Sequence, residues 1–161
     1  MPLSDLIGAE LPTKTIVVER GPASFFARAV TENDPVFHDA DKARVDGFDS
    51  LPTVPTYAFA MHHMGTFPEL QEPSAEIDPE RQAMNLLMRD GGIVLHGEQE
   101  FVYHRPVQVG DRLTGRGRID DISTREGSDG KQMTFVVSRT DWFDEAGAPV
   151  VSSTMTLIHR I

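Results

Sequence analysis

Beyond Gly91 the chain changes period. Residues 93–103 (IVLHGEQEFVY) put Ile93, Leu95, Gly97, Gln99 and Phe101 on one face and Val94, His96, Glu98, Glu100 and Val102 on the other. That is the two-residue repeat of a β-strand. Arg105-Pro106 ends the run and Val109-Gly110-Asp111 turns the chain. Residues 112–123 read as a second strand, lightly apolar, for which a sheet-edge position is expected. Ser128-Asp129-Gly130 reads as a hairpin turn. Residues 131–143 form a third strand, with Met133, Phe135 and Val137 on one face. Glu145-Ala146-Gly147 turns again, and residues 150–159 alternate Val151, Met155 and Leu157 with Thr and Ser. Four long strands joined by tight turns predict an antiparallel meander. Such a sheet has an apolar face that another element must cover.

The best cover is the uncharged run TYAFAMHHMG at 56–65, read as a buried helix. Upstream, residues 13–19 (TKTIVVE) are β-branched and predict a strand. Gly21-Pro22 breaks it, with Pro22 suited to the first turn of a helix. Residues 23–30 carry Phe25, Phe26, Ala29 and Val30 at helical spacing, and that helix ends by Asp34 because Pro35 follows. Residues 38–47 are polar with a short helical turn, and 50–55 hold two prolines and exclude regular helix. Leu3, Leu6 and Ile7 suit a helical turn capping one end of the core. Residues 66–90, with three prolines and an amphipathic patch at Met84, Leu87 and Met88, predict an excursion with a short helix, a lid or a contact surface. The expectation is one α+β domain over 1–161.

Composition removes several function classes. A formal net charge of −10 argues against a nucleic-acid partner, since phosphate binding relies on clustered Lys and Arg. A local basic patch would still serve an anionic coenzyme. The absence of cysteine removes disulfides, thiolate catalysis and Cys-ligated metal. The start MPLSDLIGAELP lacks a basic region followed by an apolar one, so no secretory leader is expected. No apolar run approaches the roughly 20 residues of a bilayer span. A cytoplasmic protein is expected.

Three stretches together resemble the MaoC-like dehydratases, the (R)-specific enoyl-coenzyme A hydratase family. They are TENDPVFHD at 31–39, LPTVPTYAFAM at 51–61 and LHGEQEFVYHRPVQVGDRLTGRGRI at 95–119. The resemblance spans about residues 5–160 and is nearest the N-terminal MaoC-like dehydratase domain type, fused to or paired with a catalytic partner. It implies a hot-dog fold, a long buried helix wrapped by a curved antiparallel sheet. It implies reversible addition of water to a trans-2-enoyl thioester of coenzyme A or acyl carrier protein, with no cofactor and no metal. A lone hot dog leaves a sheet edge open, so a homodimer or a heterodimer with another hot-dog subunit is expected.

The resemblance also assigns residues. Catalytic members carry Asp, two residues, Pro, one residue, then His. Aligned on Pro35, the Asp position holds Glu32, the His position holds Phe37, and His38 comes one place late. Asp34 stands where Asn is usual. Water addition needs a base and an acid within reach of one water, and a one-residue shift turns a side chain to the opposite side. Two versions stay open: a working Glu32/His38 pair, or a degenerate site in a subunit that holds the acyl group while a partner supplies the chemistry. Asp34 joins the expected substrate site. So do the backbone N–H groups of Thr53, Val54, Thr56 and Tyr57, which would stabilise charge on the thioester oxygen. Pro52 and Pro55 have no N–H to offer.

Other classes remain open on the residues alone. A hot-dog acyl-coenzyme A thioesterase would use one carboxylate, Glu32 or Asp34. A module that binds acyl-coenzyme A without turnover is the non-enzymatic alternative. His62 and His63, about 100° apart on a helix, do not converge on a metal. His96 reads as structural, and His104 and His159 as solvated strand ends. Glu98 and Glu100 read as a solvated face. Arg112, Arg116 and Arg118 form a basic stripe, either a phosphate contact or a charged strand edge.

Overall fold

The computed structural model describes residues 2–73, 77–128 and 130–161. Five strands form one antiparallel sheet: β1 (Glu10–Val17), β2 (Ile93–Tyr103), β3 (Arg112–Glu126), β4 (Gln132–Phe143) and β5 (Pro149–Arg160). Their order is β1-β3-β4-β5-β2. Four α-helices are α1 (Arg20–Ala29), α2 (Ala40–Val45), α3 (Tyr57–Met64) and α4 (Pro79–Leu87). All four late strands lie where the two-residue repeat places them.

The meander is shorter than expected. Only β3, β4 and β5 run in sequence order; β2 crosses to the far side and pairs with β5, Ile93 opposite Arg160 and Tyr103 opposite Val151. Nor is β3 an edge, since β1 covers its other side. Its light apolar content has a packing cause. Gly115 and Gly117 face large neighbours: a Cβ on Gly115 would lie 2.8 Å from the Trp142 ring, and one on Gly117 2.7 Å from Thr140 Oγ1. The volume that side chains on β3 would fill is already taken from β4.

The faces of β2 also differ from a simple alternation. The register with β5 slips between His96 and Glu98, skipping Gly97. This bulge inverts the phase of the strand beyond it. His96 and Gln99 therefore share the inner face, opposite Leu157 and Met155, where plain alternation sets them apart. On β4 the buried face is Thr134, Val136, Ser138 and Trp142, while Met133, Phe135 and Val137 share the half-buried outer one. The expected hairpin at Ser128-Asp129-Gly130 includes Asp129, which lies outside the described residues.

α3 is the covering helix. Tyr57, Ala58, Ala60 and Met61 are buried and pack with Ile16, Leu113, Trp142, Val150 and Val151 in the main core. Each large side chain so buried contributes about 1.5–3 kcal/mol. Phe26 of α1 meets Tyr57 edge to face at 5.4 Å. The excursion docks its helix: Asp78 caps α4 by accepting from the Glu80 N–H at 2.8 Å, and Ala83 is buried with Leu6, Ile119 and Val136 in a second cluster.

The two sheet edges are treated differently. Gln71 covers β1, accepting from the Thr15 N–H at 3.0 Å and donating to Thr15 O at 2.7 Å, as a neighbouring strand would. On β2 the apolar side chains Ile93, Val94, Leu95 and Val102 are 54%, 38%, 46% and 51% exposed. A long apolar edge of this kind is a template for another strand. No described helix is long and apolar enough to cross a membrane.

Candidate functional site

The acidic turn is built by capping. α1 ends in a Schellman motif: the Glu32 N–H donates to Ala27 O at 2.9 Å and the Thr31 N–H to Arg28 O at 3.0 Å. Thr31 holds the left-handed position, φ 58°, where glycine is usual. Asp34 then caps a 3-10 turn at Pro35–Phe37, its Oδ1 accepting from the Val36 N–H at 3.0 Å. Asp39 caps α2 through the N–H groups of Asp41 and Lys42. Glu32 Oε1 accepts from the Asp34 N–H at 2.9 Å. The acids that make TENDPVFHD look reactive each hold a backbone donor.

His38 closes the same turn. Its Nε2 lies 2.6 Å from the Glu32 backbone carbonyl oxygen. A carbonyl only accepts, so Nε2 carries the proton and donates. The structure thus brings Glu32, Asp34 and His38 into one turn, with the His38–Glu32 contact running through the main chain.

The stretch before α3 lies beside this turn. Val36, Ala43 and Leu51 form a small buried cluster with Phe37, Phe48 and Val109 packed against it. One residue from each of the three family-like stretches, Val36, Leu51 and Val109, meets there. Residues 50–55 are pinned to the segment after β2: the Thr53 N–H donates to Val107 O and the Val109 N–H to Leu51 O, both at 2.8 Å. The Tyr103 hydroxyl donates to Pro55 O, and burial pushes its pKa up to about 12. Of the four expected donors, Thr53 and Tyr57 are spent, Tyr57 on Val54 O at 2.9 Å. Val54 and Thr56 keep their N–H groups clear of main-chain partners among the described residues. Thr53, Pro55, Tyr103 and Arg105 line a groove of about 290 Å³ here. Arg105 is held by Asp111 at 2.8 and 3.0 Å, which raises its already high pKa.

A second space lies under α3, between that helix and the sheet. It is a chamber of about 70 Å³. Ala58, Phe59 and His62 form its roof; Gln99, Ser138, Thr140 and Ser153 face it from three strands, with Trp142 and Met155 between them. Lys14 and Glu80 also line it. Burial first, then the neighbouring His63 and Lys14 charges, lower His62 to a pKa of about 4, against a smaller opposing pull from the Phe59 carbonyl. His63 is lowered by the same burial and by Lys14. Sequence reasoning missed this polar floor. Ser138 and Thr140 lie opposite the Met133, Phe135 and Val137 face of β4 that reads as apolar, while Ser153 shares the parity of Val151 and Met155 and Gln99 that of Phe101.

Of the remaining histidines, His104 is exposed at the end of β2, as expected. His96 is exposed, and its ring meets Phe59 at a tilt of 52° with centroids 5.0 Å apart. His159 is buried, its Nε2 2.8 Å from Gly91 O, where a solvated strand end was expected. No group of three acids and histidines among the described residues is arranged to hold a metal. Arg116 lies over the Phe143 ring and Arg118 pairs with Asp120 at 2.5 Å.

Residues 5–153 match the family described as FAS1-like, dehydratase domain region. A UPF0336 protein of Saccharopolyspora erythraea is 32% identical over 162 residues, covering 99% of this chain and 93% of that protein. Among solved structures, the C-terminally truncated HadBC (3R-hydroxyacyl-ACP dehydratase) complex of Mycobacterium tuberculosis aligns at TM-score 0.71 and 23% identity, over 98% of this chain and 99% of that one. The ChsH1-ChsH2 complex of the same organism aligns at TM-score 0.76 and 17% identity, over 97% and 85%. These structural likenesses show the hot-dog fold. With its family-like stretches gathered around Leu51 and α3 set on the sheet, the chain belongs to the FAS1-like dehydratase domain region family, of the MaoC-like hot-dog kind its sequence resembles.

Proposed function

We propose that this chain is the acyl-holding subunit of an enoyl-thioester hydratase, or 3-hydroxyacyl-thioester dehydratase in the reverse direction. A second hot-dog subunit supplies the acid and the base. The observation that carries this reading is the engagement of His38 Nε2 by the Glu32 main-chain carbonyl at 2.6 Å. An imidazole whose Nε2–H is committed to a carbonyl, beside a carboxylate committed to the Asp34 amide, is suited to hold a turn. It is not poised to share one water with that carboxylate.

The rest of the site fits a holding role. The groove beside Thr53 and Pro55 takes the thioester, and the N–H groups of Val54 and Thr56 face its carbonyl oxygen. As water adds, oxygen bonds to the β-carbon, a proton reaches the α-carbon and negative charge builds on that oxygen, where such donors act. The substrate is an acyl thioester of coenzyme A or acyl carrier protein. The partner pairs along the apolar edge of β2. The two M. tuberculosis likenesses are both described as complexes, HadBC and ChsH1-ChsH2, which supports a heteromer.

The test compares two preparations. One is the recombinant chain alone; the other is the native complex, recovered from its own cells through a tag on this chain. Each is given a short trans-2-enoyl-coenzyme A and the loss of conjugated absorbance is followed. The expected result is hydration by the complex and none by the chain. Hydration by the chain alone, abolished in His38→Ala, would overturn the proposal. Release of free thiol without a 3-hydroxyacyl product would replace it with thioester hydrolysis.

A further inference from the structure

The sheet keeps one apolar stretch without a cover. α3 and α4 pack on its inner face, around Tyr57 and around Ala83. On the outer face the register sets Phe135 of β4, Ile158 of β5 and Leu95 of β2 side by side in one row. Met133 and Ile93 flank Arg160 in the next row on one side; Val137 and Thr156 stand in the row on the other. Ile93 and Leu95 are exposed, and Met133, Phe135, Val137 and Ile158 are half-buried. None of these apolar side chains belongs to a buried cluster. The glycine of the β2 bulge serves this face too: a Cβ on Gly97 would lie 2.6 Å from Ile158 Cδ1. An apolar patch with a polar rim marks an interaction surface.

The rim points to the occupant, because its two ends carry opposite charges. Arg125 and Arg160 stand in the Met133 row, and Asp121 and Glu98 in the Val137 row. Arg125 and Asp121, both on β3, are exposed. The Arg125 guanidinium lies over the Phe135 ring, 5.5 Å from its centroid, which holds the positive charge at the patch. Neither Arg125 nor Asp121 joins a salt bridge among the described residues. Four residues apart on an extended strand, they are separated by about 13 Å and do not reach each other. A second copy turned by 180° about an axis along the Phe135 row brings Phe135 onto Phe135 and Ile158 onto Ile158. The same turn sets Arg125 of each copy against Asp121 of the other. Stacked sheets lie about 10 Å apart, a gap that an Arg and an Asp side chain span together. A two-fold interface must complement itself, and a patch with opposite charges on either side of an apolar row does so.

We infer that the outer face of the sheet is a self-association surface. A second copy of this chain docks on it face to face, centred on Phe135 and Ile158 and fixed in direction by two Arg125–Asp121 pairs. The surface borders the β2 edge at Leu95 but faces another way, so one partner can extend the edge while a second copy covers the face. The inference does not depend on the acyl-holding reading. Three rows on three strands span roughly 13 Å by 10 Å, small against the roughly 800 Å² that each partner buries in a stable complex. Dissociation in the micromolar range is therefore expected.

The test is sedimentation of the full chain from about 1 to 300 µM, a range that brackets micromolar dissociation. Arg125→Asp and Asp121→Arg each set like charges against each other twice per dimer. Each alone is expected to weaken association at least about tenfold. The double variant exchanges the signs and re-forms both pairs, and its association returns to within about threefold of wild type. An equimolar mixture of the two single variants also recovers, because each supplies the charge the other lacks. Both positions are exposed, and melting of each variant checks that it folds. A wild-type chain that stays monomeric across the range overturns the inference. So does association unmoved by either single substitution, which places self-association on another surface such as the β2 edge. Weakening by both single variants with no recovery in the double variant or the mixture overturns the two-fold pairing, and the proposal with it.

Discussion

His38 Nε2 sits 2.6 Å from the main-chain carbonyl of Glu32, while the Glu32 carboxylate turns to the Asp34 amide at 2.9 Å. The two residues that sequence reasoning pairs as acid and base are neighbours, but what joins them is turn architecture. In this chain the family-like turn carries out capping duties at four places in nine residues: the end of α1, the 3-10 turn, the start of α2, and the His38 bridge across them.

Thr31 bears the strain of that turn. A β-branched residue at φ 58° is disfavoured, by about 1–2 kcal/mol relative to a residue free of Cβ. Glycine gives back about 0.5–1 kcal/mol through its unfolded-state freedom. Thr31→Gly is therefore expected to stabilise the fold, raising the melting temperature by roughly 1–4 °C. Calorimetric melting checks this. A lower melting temperature would mean that the Thr31 side chain holds the turn in some other way.

His62 makes stability depend on pH. Its folded pKa, about 4, lies below the ordinary 6.5. The unfolded chain therefore binds this proton first, and each step down in pH below about 6.5 favours unfolding until the folded His62 also protonates near 4. The contribution is fully present above 6.5 and fades across that window. Denaturant melts of wild type and His62→Gln between pH 7 and pH 4 should converge as the pH falls. His63, lowered in the same direction, leaves a smaller residual slope in the variant.

The two tyrosines should be late to ionise. Burial raises Tyr57, helped by Glu19, and raises Tyr103 to about 12. Ultraviolet titration is expected to show little phenolate near pH 10. Tyr103→Phe removes the hydroxyl that donates to Pro55 O. It should cost about 1 kcal/mol and speed amide exchange in residues 53–57, the stretch assigned to the thioester carbonyl.

The strand edge at β2 predicts where assembly breaks. Leu95→Lys puts a charge on an edge side chain that is 46% exposed in the free chain. It should leave the melting temperature of the isolated chain within about 1 °C. Affinity for the partner subunit should fall at least about tenfold, read by sedimentation or size exclusion. Unaltered assembly would place the interface elsewhere.

Much of this molecule can be read from the chain because its signals are local. Ile93–Tyr103 is a strand with the bounds its alternation implies, and TYAFAMHHMG is a helix because it is uncharged and lies between a proline and a glycine. The order of strands is not local. Nothing between Tyr103 and Arg112 announces that β2 crosses to β5, and the glycines that make β3 look like an edge are small because Trp142 and Thr140 fill their space. Part of the candidate site was legible as well, since Glu32, Asp34 and His38 do share a turn. What that turn does was not, because a carboxylate that caps a helix and one that moves a proton are the same residue in a sequence. The inward turn of His96 was hidden for a further reason: one bulge at Gly97 sets it on the face of Gln99 and Phe101, from which plain alternation separates it.

In the proposed division of labour this chain holds the acyl thioester while another subunit performs the chemistry. The most direct measurement is the turnover of trans-2-enoyl-coenzyme A by the native complex carrying Glu32→Gln and His38→Ala together in this chain. The turnover rate is expected to stay within about threefold of wild type, with any loss appearing in KM or in thermal stability. A drop in turnover rate by a factor of about 100 or more, the usual scale for a missing general acid or base, with the complex still assembled, would contradict it.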